Sequence, residues 1–213
     1  MLHELFHFFG RAICHQLEER SLLVSGEALA VCARDTGIYI GVFSTFIYLH
    51  FTKRKQSVTI PSIKMSFILL LFLVPLMIDG LGSYINLFDS NNPRRLMTGI
   101  AFGFVLPYFI YPLLSKKSLE HESRPVLYTS KDLVIPLVMS IFLGVLFYTG
   151  QPSHIVLDSL IMVSVIGWFS LLASFLFPFI LRVSLKITFS VLVSLLFLSI
   201  LSLLHVWVLT LTI

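Results

Sequence analysis

Long apolar runs separated by short polar stretches dominate the chain. Six of them approach the roughly 20 residues a helix needs to cross a bilayer, and none alternates with the period-two pattern of a barrel strand. They predict spans at about residues 32–51, 65–86, 96–115, 133–150, 155–180 and 187–211. Ahead of them, residues 2–19 put Leu2, Leu5, Phe6, Phe9, Ile13 and Leu17 on one side of a helix and His3, His7, Arg11, Cys14 and Glu18 on another. That stretch is too short and too charged to span, and it predicts a helix lying in the interface. Ser25-Gly26 then breaks the chain. Pro75, Pro107, Pro112 and Pro136 fall within or near the spans, where neighbouring groups re-satisfy the freed carbonyls. The expected fold class is an all-α membrane protein: about six transmembrane helices preceded by an amphipathic interfacial helix. Residues 1–31 form the helix and a loop on the extracytoplasmic face, and residues 32–213 form the transmembrane domain.

Composition agrees. Of 213 residues, 57% are hydrophobic and only 12% charged, against about a quarter charged in a soluble domain. The bilayer is therefore the main partner. The net charge of +4 does not point to nucleic acid, because the basic residues sit in short loops, where they set orientation. Lys53, Arg54, Lys55 and Lys64 form one such loop, Lys116, Lys117, Arg124 and Lys131 another, and Arg182 and Lys186 a third. These three loops are expected in the cytoplasm, which puts both termini outside a multi-pass protein of the cell membrane. The first 20 residues carry charges and histidines throughout, so no cleavable signal peptide is expected there. All seven lysines fall on the inner side, whereas the five outer basic residues, Arg11, Arg20, Arg34, Arg94 and Arg95, are all arginine. Arginine makes fixed, bidentate contacts with carboxylate or phosphate. Such an asymmetry also arises by chance or from pairing with Glu18, Glu19, Glu27 and Asp89.

With this topology the unusual polar residues of positions 14–105 collect at the outer face. Asp79 follows a long apolar run, and an ionisable group at that depth is costly unless paired. Arg34 and Arg95 are its candidate partners, and the three are the candidate catalytic residues, with Asp79 orienting an arginine or acting as general base. Arg20, Thr36, Asn92 and Thr98 are candidate ligand-binding residues on the same side. Cys32 and Asp35 share a helix face, and Cys14 and His15 are adjacent. Cys14, His15, Cys32 and Asp35 together suit zinc, which accepts thiolate, imidazole and carboxylate and could activate water or polarise a phosphoryl oxygen. A Cys14–Cys32 disulfide and two unlinked thiols are the alternatives. His3 and His7, four apart, offer a further metal pair or simply a polar interfacial face; His154 and Asp158 reach the outer site or cap a helix. His50 and His205 read as interfacial, and Gly37 with Gly41 as a packing face for close helix approach.

Several segments carry a family resemblance. Cys14-His15-Gln16, Glu19-Arg20-Ser21, the run Cys32-Ala33-Arg34 with Thr36-Gly37-Ile38-Tyr39 and Gly41, Asp79-Gly80, and Ser90, Asn92, Arg95, Thr98 and Gly99 follow one pattern. It resembles that of an uncharacterised polytopic family of bacteria and archaea, a domain of unknown function, with CHQ…ERS, CARCTGIYxG and STNxLRxxTG segments. The resemblance covers residues 10 to about 105 and implies no activity. Asp35 stands where the family pattern has the second cysteine of a CxxC. That departure points away from dithiol exchange and towards metal or anion binding.

Three functions fit these residues. One is a metal-dependent hydrolase or transferase acting on a lipid phosphate at the outer leaflet. Another is a six-helix substrate-binding or transport subunit for a small solute or ion. The third is a membrane protein whose polar network only fixes helix packing. Whether there is catalysis is left open.

Overall fold

The computed structural model describes residues 2–114, 123–180 and 182–211; Lys116 and Lys117 of the second basic loop lie outside them. In order, the elements are α1 (Leu2–Gly10), a hairpin of β1 (Ser21–Val24) and β2 (Glu27–Cys32), α2 (Ala33–Lys53), β3 (Val58–Thr59), α3 (Ile63–Leu71), α4 (Val74–Tyr84), α5 (Asn92–Leu113), β4 (Arg124–Pro125), α6 (Lys131–Thr149), α7 (His154–Ala173) and α8 (Val183–Leu211). Every predicted span corresponds to helix. Among the described residues, five stretches are long and apolar enough to cross a membrane: Ile63–Tyr84, Asn92–Leu113, Lys131–Thr149, His154–Leu176 and Val183–Thr210. The chain is a helical membrane protein. At 21 residues, α2 is also long enough, but Arg34, Asp35, His50 and Lys53 near its ends and Ser44 and Thr45 in its middle lower its apolarity.

The amphipathic helix expected over 2–19 stops at Gly10. A Cβ at position 10 would overlap the carbonyl oxygen of Ala30, so β2 lies directly across the helix end. Residues expected as loop up to position 31 form an antiparallel hairpin that pairs Val24 with Glu27 and Leu23 with Ala28. Its two-residue turn is Ser25-Gly26, both at positive φ (55° and 86°), as a type I′ turn requires.

Contacts divide the chain into two compact units, Met1–Cys32 with Gly150–Ile213, and Ala33–Thr149. In the first unit α1 packs on α7, α8 and β2, and β2 packs on α7. Gln16, at φ 54°, ties the unit together: its side-chain amide donates to the carbonyl of His7 at 2.7 Å and to that of Ala30 at 2.9 Å.

The second unit is built on α2 and α5. A Cβ on Gly37 would meet Leu96 and Gly99, one on Gly41 would meet Ile100 and Gly103, and one on Gly103 would overlap the carbonyl oxygen of Ile38. The pairing advances in the same direction along both helices, so they run parallel at near-backbone contact, as small-xxx-small faces permit. Parallel α2 and α5 require the chain between them to return across the unit once. The α3–α4 segment makes that return, interrupted at Phe72-Leu73 just ahead of Pro75. At the Lys53 end of α2, Leu49, Val58, Leu69, Phe104, Val105, Tyr108, Val126 and Leu127 form a buried apolar cluster.

Candidate functional site

In the Ala33–Thr149 unit, the first turn of α2, the second half of α4 and the first turn of α5 come together on Asp79. This carboxylate is fully buried. One oxygen receives Arg34, and the other receives the Ser90 hydroxyl and Arg94 Nε, the last at 3.1 Å. Arg94 also lies over the Phe88 ring, 4.1 Å from its centroid. Two guanidinium groups on one carboxylate leave one positive charge in excess. Arg34 Nε is moreover buried without a hydrogen-bond partner, a donor that costs about 1–3 kcal/mol to leave unmet.

Beside this centre lies an open cavity of about 380 Å³ lined by Leu71, Val74, Pro75, Ile78, Arg94 and Thr98. Its walls are apolar, and Arg94 and Thr98 supply the polar end. The interruption between α3 and α4 contributes Leu71, Val74 and Pro75 to the wall. Pro75, which cannot donate a backbone hydrogen bond, sits in the first turn of α4, where the missing donor is tolerated.

Arg34 and Asp79 of the candidate catalytic set are joined. The second arginine on Asp79 is Arg94 rather than Arg95; Arg95 donates to Asn92 at 3.3 Å. Asn91 caps α5 by accepting from the Arg94 backbone at 3.0 Å. Thr98 donates to the Arg95 carbonyl, and the Thr36 hydroxyl is buried without a partner. Ser90, the remaining ligand of Asp79, carried the weakest signal in sequence: a serine in a polar loop.

In the first unit the sulfurs of Cys14 and Cys32 lie within 4.8 Å of each other, and both residues are thiols. Cys14 Sγ accepts the backbone N–H of Cys32 at 3.2 Å and of Gln16 at 3.5 Å. Two sulfurs on one tetrahedral zinc sit about 3.8 Å apart, so the donor pair fits. Asp35 follows Cys32 by three residues, in the first turn of α2. His15 is exposed, with its ring 5.0 Å from that of His205. Arg20 is exposed and pairs with Glu19 at 3.4 Å. His7, on α1, is held below the ordinary imidazole value by burial first and then by the neighbouring charge of His3.

A third polar centre went unrecognised in the sequence. At the far end of α2, Lys53 meets Asp132 at 2.8 Å, and both side chains are nearly inaccessible. Tyr48 and Thr129 donate to the same carboxylate, and the Tyr108 hydroxyl donates to the Asp132 carbonyl at 2.6 Å. Lys53 reads in sequence as one more loop lysine; only its meeting with Asp132 reveals the pair.

Apolar helices around a buried carboxylate and paired arginines define an integral membrane protein with an internal charged centre. The chain belongs to the predicted membrane protein family DUF2085, whose model matches residues 14–109. It is 38% identical over 101 residues to an uncharacterised protein of Methanocaldococcus jannaschii, covering 47% of this chain and 63% of that one, less than two thirds of the relative. It is 35% identical over 96 residues to an uncharacterised protein of Methanothermobacter thermautotrophicus, covering 45% of this chain and 82% of that one. No solved structure matches the chain.

Proposed function

We propose that the centre formed by Arg34, Asp79, Ser90 and Arg94 binds the anionic head of a membrane amphiphile, a lipid phosphate or a chemically similar group, on the extracytoplasmic side. One observation carries this reading: two arginines share a single buried carboxylate at the polar end of an apolar cavity of about 380 Å³. The surplus positive charge and the unmet Arg34 Nε attract an anion, and the cavity wall suits a hydrocarbon chain. Arg34, Asp79, Ser90 and Arg94 all fall inside the segment 14–109 matched by the family model. Cys14 and Cys32 would hold zinc, with His15 as a further candidate donor. When bound, zinc supplies Lewis-acid chemistry suited to hydrolysis or transfer at a phosphate ester. The chain's own contribution is to fix the head group: Asp79 holds both guanidinium groups in place, and Thr98 and Arg94 set its depth.

A binding or transport subunit without turnover is the second reading, and the interruption of α3–α4 beside the cavity favours it. Broken helices line the sites of many transporters. Purified protein in nanodiscs of neutral lipid, titrated with phosphatidic acid in one arm and inorganic phosphate in the other, tests the proposal. Saturable binding of phosphatidic acid that falls at least about tenfold in Arg34→Gln/Arg94→Gln, a loss of roughly 1.4 kcal/mol, supports a lipid head group. Binding of inorganic phosphate alone assigns a free anion, and unchanged binding in the double variant sinks the site. Phosphate release that depends on zinc and on Cys32 separates an enzyme from a binding subunit.

A further inference from the structure

We propose that His3, Glu27 and His154 form a second, independent site for a divalent transition-metal ion of the zinc class. It would fasten α1 and the hairpin to the start of α7. The three residues come from three elements of the first unit. His154 Nε2 lies 3.0 Å from Glu27 Oε2, and His3 Nδ1 lies 3.9 Å from the same oxygen. One ligand atom from each falls within 4.8 Å of the others. The His3 and His154 rings are 6.2 Å apart and nearly perpendicular, at 84°. Ligand atoms around a tetrahedral zinc are about 3.3 Å apart, so small side-chain rotations bring this set onto one ion.

Two imidazoles and one carboxylate are a donor set that zinc and its first-row neighbours accept. A cation converts the same geometry into three strong bonds. Exposure supports the role: the His3, Glu27 and His154 side chains are 48%, 52% and 22% accessible. An ion can therefore enter from solvent, and water can complete its coordination.

A separate observation points to a cation. Asp158, one helical turn beyond His154, is fully buried. Its Oδ1 accepts the Ala30 backbone N–H at 2.9 Å, while Oδ2 has no hydrogen-bond partner. Ala30 belongs to the same strand as Glu27. A cation held by the His–Glu–His group would bring positive charge near this unmet carboxylate oxygen, which already feels His154 and His3 electrostatically.

The test uses the full chain in detergent, stripped with chelator and titrated with zinc alone. Bound metal is counted by elemental analysis and stability is followed by melting. The Cys14→Ser/Cys32→Ser protein is expected to retain one equivalent of zinc. Co(II) loaded into it should lack the charge-transfer absorption of a thiolate ligand. His3→Ala and Glu27→Gln, at exposed positions, should each weaken that equivalent by more than the 10–100-fold that loss of an outer partner costs, and should reduce the zinc-induced rise in melting temperature. A cysteine-free protein that melts like the parent yet binds no zinc overturns the site. So does a zinc equivalent that His3→Ala, Glu27→Gln and His154→Ala all leave unchanged. Loss of zinc only in the cysteine variant would leave the thiol site standing and remove this one, so the two are read apart.

Discussion

Lys53 and Asp132 show what a single charge costs when it is nearly out of reach of water. Asp132 takes Lys53 on one oxygen and the backbone N–H groups of Tyr128 and Thr129 on the other, the latter at 3.1 and 2.9 Å. Removing one member of a buried pair strands the other, typically at about 3–5 kcal/mol. Lys53→Met should therefore lower unfolding stability by roughly 3 kcal/mol, and distinctly less in an Asp132→Asn background. A double-mutant cycle on denaturant unfolding measures the difference, and additive losses would disprove the coupling. Asp79 could be read from the sequence because an aspartate deep in an apolar run has few places to go. Arg94 could not be told from Arg95, since adjacent helix residues point about 100° apart and only the direction of α5 decides which one reaches α4.

The helices were legible as elements because their apolar runs match the bilayer. The hairpin was not. Leu22, Val24, Leu29 and Val31 are buried, yet the strands are only four and six residues long, and such short apolar runs do not separate strand from helix by periodicity. What stopped α1 at Gly10 was a strand arriving from 20 residues further on, information no local pattern holds. Gly37 and Gly41 were visible as a packing face, but their counterparts Gly99 and Gly103 emerge only from the pairing of α2 with α5. The contact sets a sharp expectation. Gly103→Val must push α2 and α5 apart and should cost about 1–3 kcal/mol or more, as overpacking does. Gly167→Val, where an added Cβ meets nothing within 4 Å, should be close to neutral. Melting of the two variants in the same detergent checks this, and equal melting temperatures would refute the close helix contact.

At the scale of the molecule, the succession of spans was readable and their grouping was not. Residues 33–149 form one unit continuous in sequence, whereas the other joins 1–32 to 150–213. Hydropathy reports what each segment buries, never which distant segment covers it. The covering can be probed through Cys14, which is buried at 7% exposure. In the full chain it should react slowly with a soluble maleimide. In a chain ending at residue 149 it should react at least about tenfold faster, as a site that opens with a free energy lower by about 1.4 kcal/mol would. Equal rates would mean that the later helices do not shelter it.

This discontinuity imposes an order on synthesis. The hairpin leaves the ribosome first, but α7, the helix it packs on, begins only at His154. At about 5–20 residues per second, Cys14 and Cys32 wait roughly 6–24 seconds for their cover. The two thiols thus meet whatever oxidants or metal ions their compartment holds before the last helices arrive, so their chemical state is open to being set during assembly rather than afterwards.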